Sequence, residues 1–412
     1  MIAGEWIRTE LPRSWKVARL RDQAKVVNGY PFDSELFTAD TGLPLVRIRD
    51  IASADTEVRY AGDPVPEALL EGGEILVGMD GDFNVARWQG GEALLNQRVC
   101  CVRPGPTIDG RFLYYVLPAP LSLINEFTYS TTVKHLSSFD VLKIHLPFPP
   151  LAQQRAIADY LDRETARLDA LVAAKERVLG LLAEKRRALI TRAVTRGLDP
   201  RAPLRNSGIP WLGEVPEDWD TQRVAWLFRE RDERGESELP LLEVSINAGV
   251  VLREFSDERI ESTAADFNSY KVARRGDVAF NKMRMWQGAV GIAPQDGLVS
   301  PDYVVAEPIG ALSPEYARLL FRTEMFSAEC ARRSHGIVWD RLRLYWEGFR
   351  EIELPLPSAE AQREIVDYIT RETSKLDAVR QATERSVTLL KERRAALIAA
   401  AVTGQIDVES AA

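Results

Sequence analysis

The chain has 412 residues, enough for two or three domains, and its 45% apolar and 28% charged residues are those of an ordinary globular protein. The start MIAGEWIRTELPRSW shows no basic stretch followed by an apolar run, and no segment approaches the ~18 consecutive apolar residues of a membrane span, so a cytoplasmic protein without a membrane anchor is expected. A net charge of −8 speaks against a chain that grips nucleic acid unaided: Lys+Arg against Asp+Glu is 15 to 19 over residues 1–150 and 18 to 26 over 206–355, with only 151–205 basic at 12 to 7.

Residues 1–150 alternate short apolar runs with turn residues. LPLVRIRDI (43–51), GGEILVGMDGD (72–82), ALLNQRVCCVRPG (93–105) and VLKIHLPFPP (141–150) read as strands, and RFLYYVL (111–117) as a helix. The three cysteines, Cys100, Cys101 and Cys330, form no CxxC pair and predict no disulfide framework. Residues 206–355 repeat the logic with LPLLEVSI (239–246), RGDVAFNKM (275–283) and SPDYVVAEP (300–308). One helix is expected over 313–333, capped by Ser313 with Pro314 at its first position. Each stretch is a mixed α/β domain.

The segments that follow are written twice. Gln154 to Asp199 returns as Gln362 to Asp407 at a constant spacing of 208 residues, without gaps and with roughly half the positions identical. A shorter echo, LPRSWKVARL around Trp15 and VPEDWDTQRV around Trp219, precedes each half. Leu161, Leu168, Lys175, Leu182 and Leu189 recur every seven residues; Ile369, Leu376, Thr383, Leu390 and Leu397 repeat that register. Heptads with charged flanks predict two long helices forming an antiparallel coiled coil, ended by Gly197 and Gly404, with Ser358 capping the second. Some 45 residues make a rod of roughly 65 Å. The predicted boundaries are 1–150, 151–205, 206–355 and 356–412.

Chemistry-bearing motifs are absent. There is no GxxxxGK[ST], no GxGxxG after a strand, no lysine with Asp or Glu two residues before it, and no DPPY-like loop. His135, His145 and His335 are too scattered for a metal site, and His145 reads as a packed strand residue. Positive signals are softer. MDGDFNVARWQGG (79–91) carries Asn84, Arg87, Trp88 and Gln89, and FNKMRMWQGAVG (280–291) carries Asn281, Lys282, Arg284, Trp286 and Gln287. Amide and guanidinium groups read base edges, and cations also hold phosphate. Against this stands a plainer reading, in which the two tryptophans are core anchors and the polar residues line a solvated hairpin.

With LPFPPLAQQRAIADYLDRET, its copy LPLPSAEAQREIVDYITRET, GDVAFNKMRMWQGAVG…GLVSPDYVV and STTVKHLSSFDVLKIHLPFPP in view, the whole chain resembles the specificity subunit of type I restriction-modification systems. The resemblance implies two α+β target-recognition domains separated by the two antiparallel helices in a pseudo-two-fold repeat, each reading half of a bipartite site in double-stranded DNA. It implies a non-catalytic chain that binds no cofactor, docks two methyltransferase subunits, and works with restriction subunits; S-adenosylmethionine, ATP and Mg²⁺ belong to those partners. Candidate DNA contacts are Arg47, Arg49, Asn84, Arg87, Gln97, Lys134, Asn281, Lys282, Arg284, Trp286, Arg341 and Arg343. Candidate helix or subunit contacts are Gln154, Tyr160, Leu161, Leu168, Leu182 and Leu189, with Gln362, Tyr368, Ile369, Leu376, Leu390 and Leu397. Two other classes compete: an enzyme with a divergent site, and a coiled-coil scaffold carrying peptide-binding domains.

Overall fold

The repeated segments form continuous helices, Leu151–Arg196 and Ala359–Val402, in a computed structural model that describes residues 6–7, 9–127, 134–253, 267–336 and 342–408. Pro149 and Pro150 end the strand before the first helix, and the Ser358 hydroxyl accepts the Ala361 N–H (3.2 Å) at the start of the second. Both helices stop at a glycine in the left-handed region, Gly197 (φ 73°) and Gly404 (φ 71°). A Cβ on Gly404 would lie 2.5 Å from Pro12, and one on Gly197 would lie 3.3 Å from Trp219. The tryptophan echo thus packs each helix end against the start of a globular part.

The chain divides into two compact units, Met1–Glu176 with Arg385–Ala412, and Arg177–Glu384. Each contains half of both helices. In the first unit Asp169 pairs with Arg394 (2.9 Å) and Glu176 with Lys391 (3.1 Å), while Ile157 and Leu161 share a core with Ala401 and Val402. In the second, Arg186 pairs with Asp377 (2.7 Å), and Ala193 and Val194 share a core with Ile365 and Ile369. Partner numbers fall as the other strand of contacts rises, so the segments run antiparallel in each unit. The Arg186–Asp377 and Arg394–Asp169 pairs are one contact repeated at the 208-residue spacing. Such half-exposed pairs contribute about 0–1 kcal/mol. Burial of Leu161 or Ile369 contributes roughly 1.5–3 kcal/mol each, so the apolar seam dominates.

The globular parts share a frame. In the first, Ala24–Asn28, Val99–Pro104, Ile75–Gly78 and Val85–Arg87 form an antiparallel sheet in that order. In the second, Phe228–Glu230, Tyr303–Pro308, Val278–Asn281 and Val290–Ile292 form the same sheet. A two-stranded ribbon leads into each long helix, Lys16–Arg19 with His145–Phe148 and Asp220–Arg223 with Glu353–Leu356. Beyond the frame the units diverge. The first adds a five-stranded sheet from Phe37–Thr38, Arg59–Tyr60, Leu43–Val46, Ala93–Leu95 and Leu69–Leu70; among the described residues the second adds three ribbons, Leu204–Asn206 with Glu214–Pro216, Leu242–Ser245 with Gly249–Leu252 and Lys271–Ala273 with Gly297–Val299.

Three expectations need correction. The helix over 313–333 is two helices, Pro314–Phe321 and Glu324–Arg333, because Arg322 leaves helical geometry and the Thr323 hydroxyl caps the Phe326 N–H (3.3 Å). The run VLKIHLPFPP is not strand throughout: Val141–Lys143 close a short helix, Ser138–Lys143, started by a Ser137–Asp140 capping box. The run LPLVRIRDI is strand only to Val46, since the Arg47 N–H and guanidinium both bond the buried Asp50 carboxylate and turn the chain.

Candidate nucleic-acid interface

The junction between each globular part and its long helix rests on one buried glutamine. Gln154 is 1% exposed; its amide oxygen accepts the Asp109 N–H (2.9 Å), and its amide nitrogen donates to the carbonyls of Thr107 (3.2 Å) and Pro149 (2.9 Å). Gln362, also 1% exposed, accepts from Ser313 (2.7 Å) and donates to Ala311 (3.0 Å) and Pro357 (2.9 Å). Asp109 and Ser313 are the N-caps of the helices Gly110–Val116 and Pro314–Phe321. In the first unit Arg111 adds ion pairs to Asp159 (2.7 Å) and Asp162 (3.1 Å). The Tyr115 hydroxyl donates to Asp162 (2.7 Å); burial pushes its pKa up to about 12, so it keeps its proton at neutral pH. In the second unit the Tyr316 hydroxyl donates to the Val194 carbonyl (2.7 Å).

These glutamines therefore lie inside the units and present nothing to an external subunit. Tyr160 and Tyr368 are half-buried under Arg163 and Arg371, whose guanidinium carbons sit 5.6 and 5.7 Å from the ring centroids. Leu161, Leu168 and Ile369 are buried, and Leu182, Leu189, Leu376, Leu390 and Leu397 are half-buried along the seam. The exposed apolar residues of the long helices are others: Leu171 and Leu389 in the first unit, Val178, Leu181 and Val379 in the second. Leu171 and Val379, and Leu181 and Leu389, stand at the 208-residue spacing, whereas Val178 has Ser386 as its counterpart.

The shared frame aligns the turn after Ile75–Gly78 with the turn after Val278–Asn281. In the second unit this turn is held from within. Asn281 is buried, and its amide oxygen accepts the Met283 N–H (2.9 Å), so its side chain is not offered to a ligand. The Met283 carbonyl accepts the Trp286 indole N–H (2.9 Å), and the Lys282 carbonyl accepts the Leu344 N–H (2.9 Å). That last bond brings in the segment 342–345. The Lys282 ammonium lies 5.8 Å from the Tyr345 ring centroid, and Arg343, exposed, pairs through its backbone with His335. Among the described residues no carboxylate pairs with Lys282, Arg284 or Arg343. Elsewhere in this unit Arg231, Lys271 and Arg274 are all held by acidic partners.

The first unit builds the same turn with different charge. The Met79 carbonyl accepts the Leu136 N–H (2.7 Å), the counterpart of Lys282 with Leu344. Asp80 then pairs with His135 (2.7 Å) and Arg98 (3.3 Å), and Lys134 binds the Asn125 carbonyl (2.6 Å). Phe83, at φ 50° and buried, anchors the turn. Asn84, Gln97 and Arg49 are exposed and Arg87 half-buried, whereas Arg47 is locked by Asp50 (2.9 Å) and Glu57 (3.2 Å). The two WQG motifs are not equivalent. Trp88 follows the strand Val85–Arg87 and is buried, its N–H on the Gly91 carbonyl (2.7 Å); Trp286 precedes the matching strand Val290–Ile292. Arg341 lies outside the described residues. Met283, Tyr345, Arg98 and His135 stand at these turns without being among the candidate DNA contacts; the 208-residue spacing of Leu136 and Leu344, which extends that of the repeat towards the N-terminus, is the signal that could have found Tyr345 and His135.

Among the described residues no three His, Cys, Asp or Glu are grouped to hold a metal. Burial pushes the Cys100 and Cys101 thiols up to about 12, so neither is a thiolate nucleophile at neutral pH. No helix of the described residues is long and apolar enough to cross a membrane.

Comparisons with known proteins agree with this architecture. The type I restriction modification DNA specificity domain matches residues 12–179. The type I restriction enzyme EcoBI specificity subunit of Escherichia coli is 30% identical over 428 residues, covering 96% of this chain and 87% of that protein. A chain from a structure on the assembly and conformational transition of the type I R-M system superposes with a TM-score of 0.70 at 16% identity, over 97% of this chain and 100% of that one. The HsdS subunit of Thermoanaerobacter tengcongensis gives 0.53 at 17% identity, over 97% and 99%. The two solved structures support the fold. The chain belongs to the type I restriction enzyme specificity subunits, the non-catalytic members of those complexes.

Proposed function

We propose that this chain reads a bipartite target in double-stranded DNA, with the globular parts of residues 1–150 and 206–355 each recognising one half. One observation carries the reading: a single frame is built twice, with identical glutamine junctions, yet its turns and outer strands differ in charge and topology. A repeated holder with two different reading edges suits two different short sequences. The exposed apolar residues of the long helices, Leu171 with Leu389 in the first unit and Leu181 with Val379 in the second, are where methyltransferase subunits would dock, and those subunits would bring much of the phosphate-neutralising charge this acidic chain lacks. S-adenosylmethionine, and the ATP and Mg²⁺ of a restriction subunit, are assigned to the partners.

Lys282→Ala and Arg284→Ala test the assignment of the second turn. Each is expected to weaken specific binding by about 1–3 kcal/mol if the side chain reads a base, and by less, with a salt slope shallower by about 0.9, if it neutralises one phosphate. Any relaxation of specificity should appear in one half-site only. Relaxation in both halves, or none with unchanged affinity, contradicts the assignment.

A further inference from the structure

The turn of the second unit displays an apolar side chain that folding does not explain. Met283 is 42% exposed, although both sides of its peptide are fixed, its N–H by the Asn281 amide and its carbonyl by the Trp286 indole. Tyr345, 39% exposed, stands beside Lys282 on the segment that the Lys282 carbonyl holds. Lys282 and Arg284 flank Met283 in sequence, and with Arg343 they are cations without an acidic partner among the described residues. A lone exposed methionine is unremarkable. A methionine held on a rigid turn between unpaired cations presents an apolar tip where the surrounding charge draws in phosphate.

We infer that Met283 is a specificity-determining residue that reads the 5-methyl group of a thymine in the major groove, while Lys282, Arg284 and Arg343 hold the flanking phosphates or guanine edges. The inference rests on the DNA-reading function proposed above. Of the four base pairs only A·T and T·A carry a methyl group in the major groove, so an apolar contact there discriminates without hydrogen bonds. Methionine suits the task because its unbranched, polarisable thioether fits an apolar surface of irregular shape. The equivalent turn of the first unit places Asp80 and Asp82 around its tip, so this methyl readout is a property of one half-site alone.

The test uses the full chain in complex with its methyltransferase subunits and duplexes carrying its target, with each thymine replaced in turn by deoxyuridine, which removes only the methyl group. One thymine, in one half-site, should be sensitive, its replacement weakening binding about fourfold, the worth of one buried methyl-sized group. Met283→Ala, at an exposed position, should fold normally and bind the thymine and uracil duplexes alike. The inference is overturned if every thymine in both half-sites is replaceable without loss, or if Met283→Ala keeps the wild-type sensitivity. A complex with no sequence-specific binding at all would instead contradict the DNA-reading function itself.

Discussion

Gln154→Ala is expected to destabilise the first unit by roughly 3 kcal/mol. The substitution leaves the Asp109 N–H and the Thr107 and Pro149 carbonyls without their partner in a site 1% exposed, and each unsatisfied buried group costs about 1–3 kcal/mol, partly relieved by relaxation. Gln154→Glu keeps the size but turns a carboxylate oxygen toward two carbonyls, so it should be at least as damaging. Gln362→Ala should do the same to the second unit through Ser313, Ala311 and Pro357. Denaturant unfolding with hydrogen exchange resolved along the chain would show faster exchange in Gly110–Val116 for the first variant and in Pro314–Phe321 for the second. A loss below about 0.5 kcal/mol, the level of an ordinary surface change, would mean that the junction is held by packing alone.

The second large effect concerns specificity. If the two long helices set the distance between half-sites, their length is part of the recognised sequence. Four residues inserted after Lys175 and four after Thr383, positions matched by the repeat, lengthen each helix by about 6 Å. Both helices then advance by the same angle, about 40° beyond a full turn, which keeps the apolar seam matched. Against a rise of about 3.4 Å per base pair, the unspecified spacer should grow by one or two base pairs while the half-sites stay the same. Mapping methylated adenines in a strain carrying the variant reads this directly. Retained methylation with an unchanged spacer would show that the helices do not measure the distance.

Much of the architecture was legible because it is local and repeated. The heptads, the terminal glycines and the Ser313 and Ser358 caps each act within a few residues, and the repeat presents every signal twice. What escaped the sequence depended on distant partners. Nothing local to QQRAI shows that Gln154 lies under the cap of a helix starting at Gly110. Arg47 and Lys134 looked like free cations, but Asp50, Glu57 and Asn125 engage them. The shared WQG suggested equivalent loops, and only the strand pairing shows that one tryptophan follows its hairpin strand and the other precedes it. Composition points to the turn of the second unit as a candidate, but Asn281 inside it is structural and Tyr345 joins it from some sixty residues away, at the far end of a backbone bond.

The most direct measurement is the modification pattern that this chain confers. Modified adenines should be mapped across the genome of its host, and again after deletion of its gene. Two short specified blocks separated by a spacer of constant length and free sequence are expected, with all such marks lost on deletion. A single uninterrupted recognition block, or marks that persist without the chain, would contradict it.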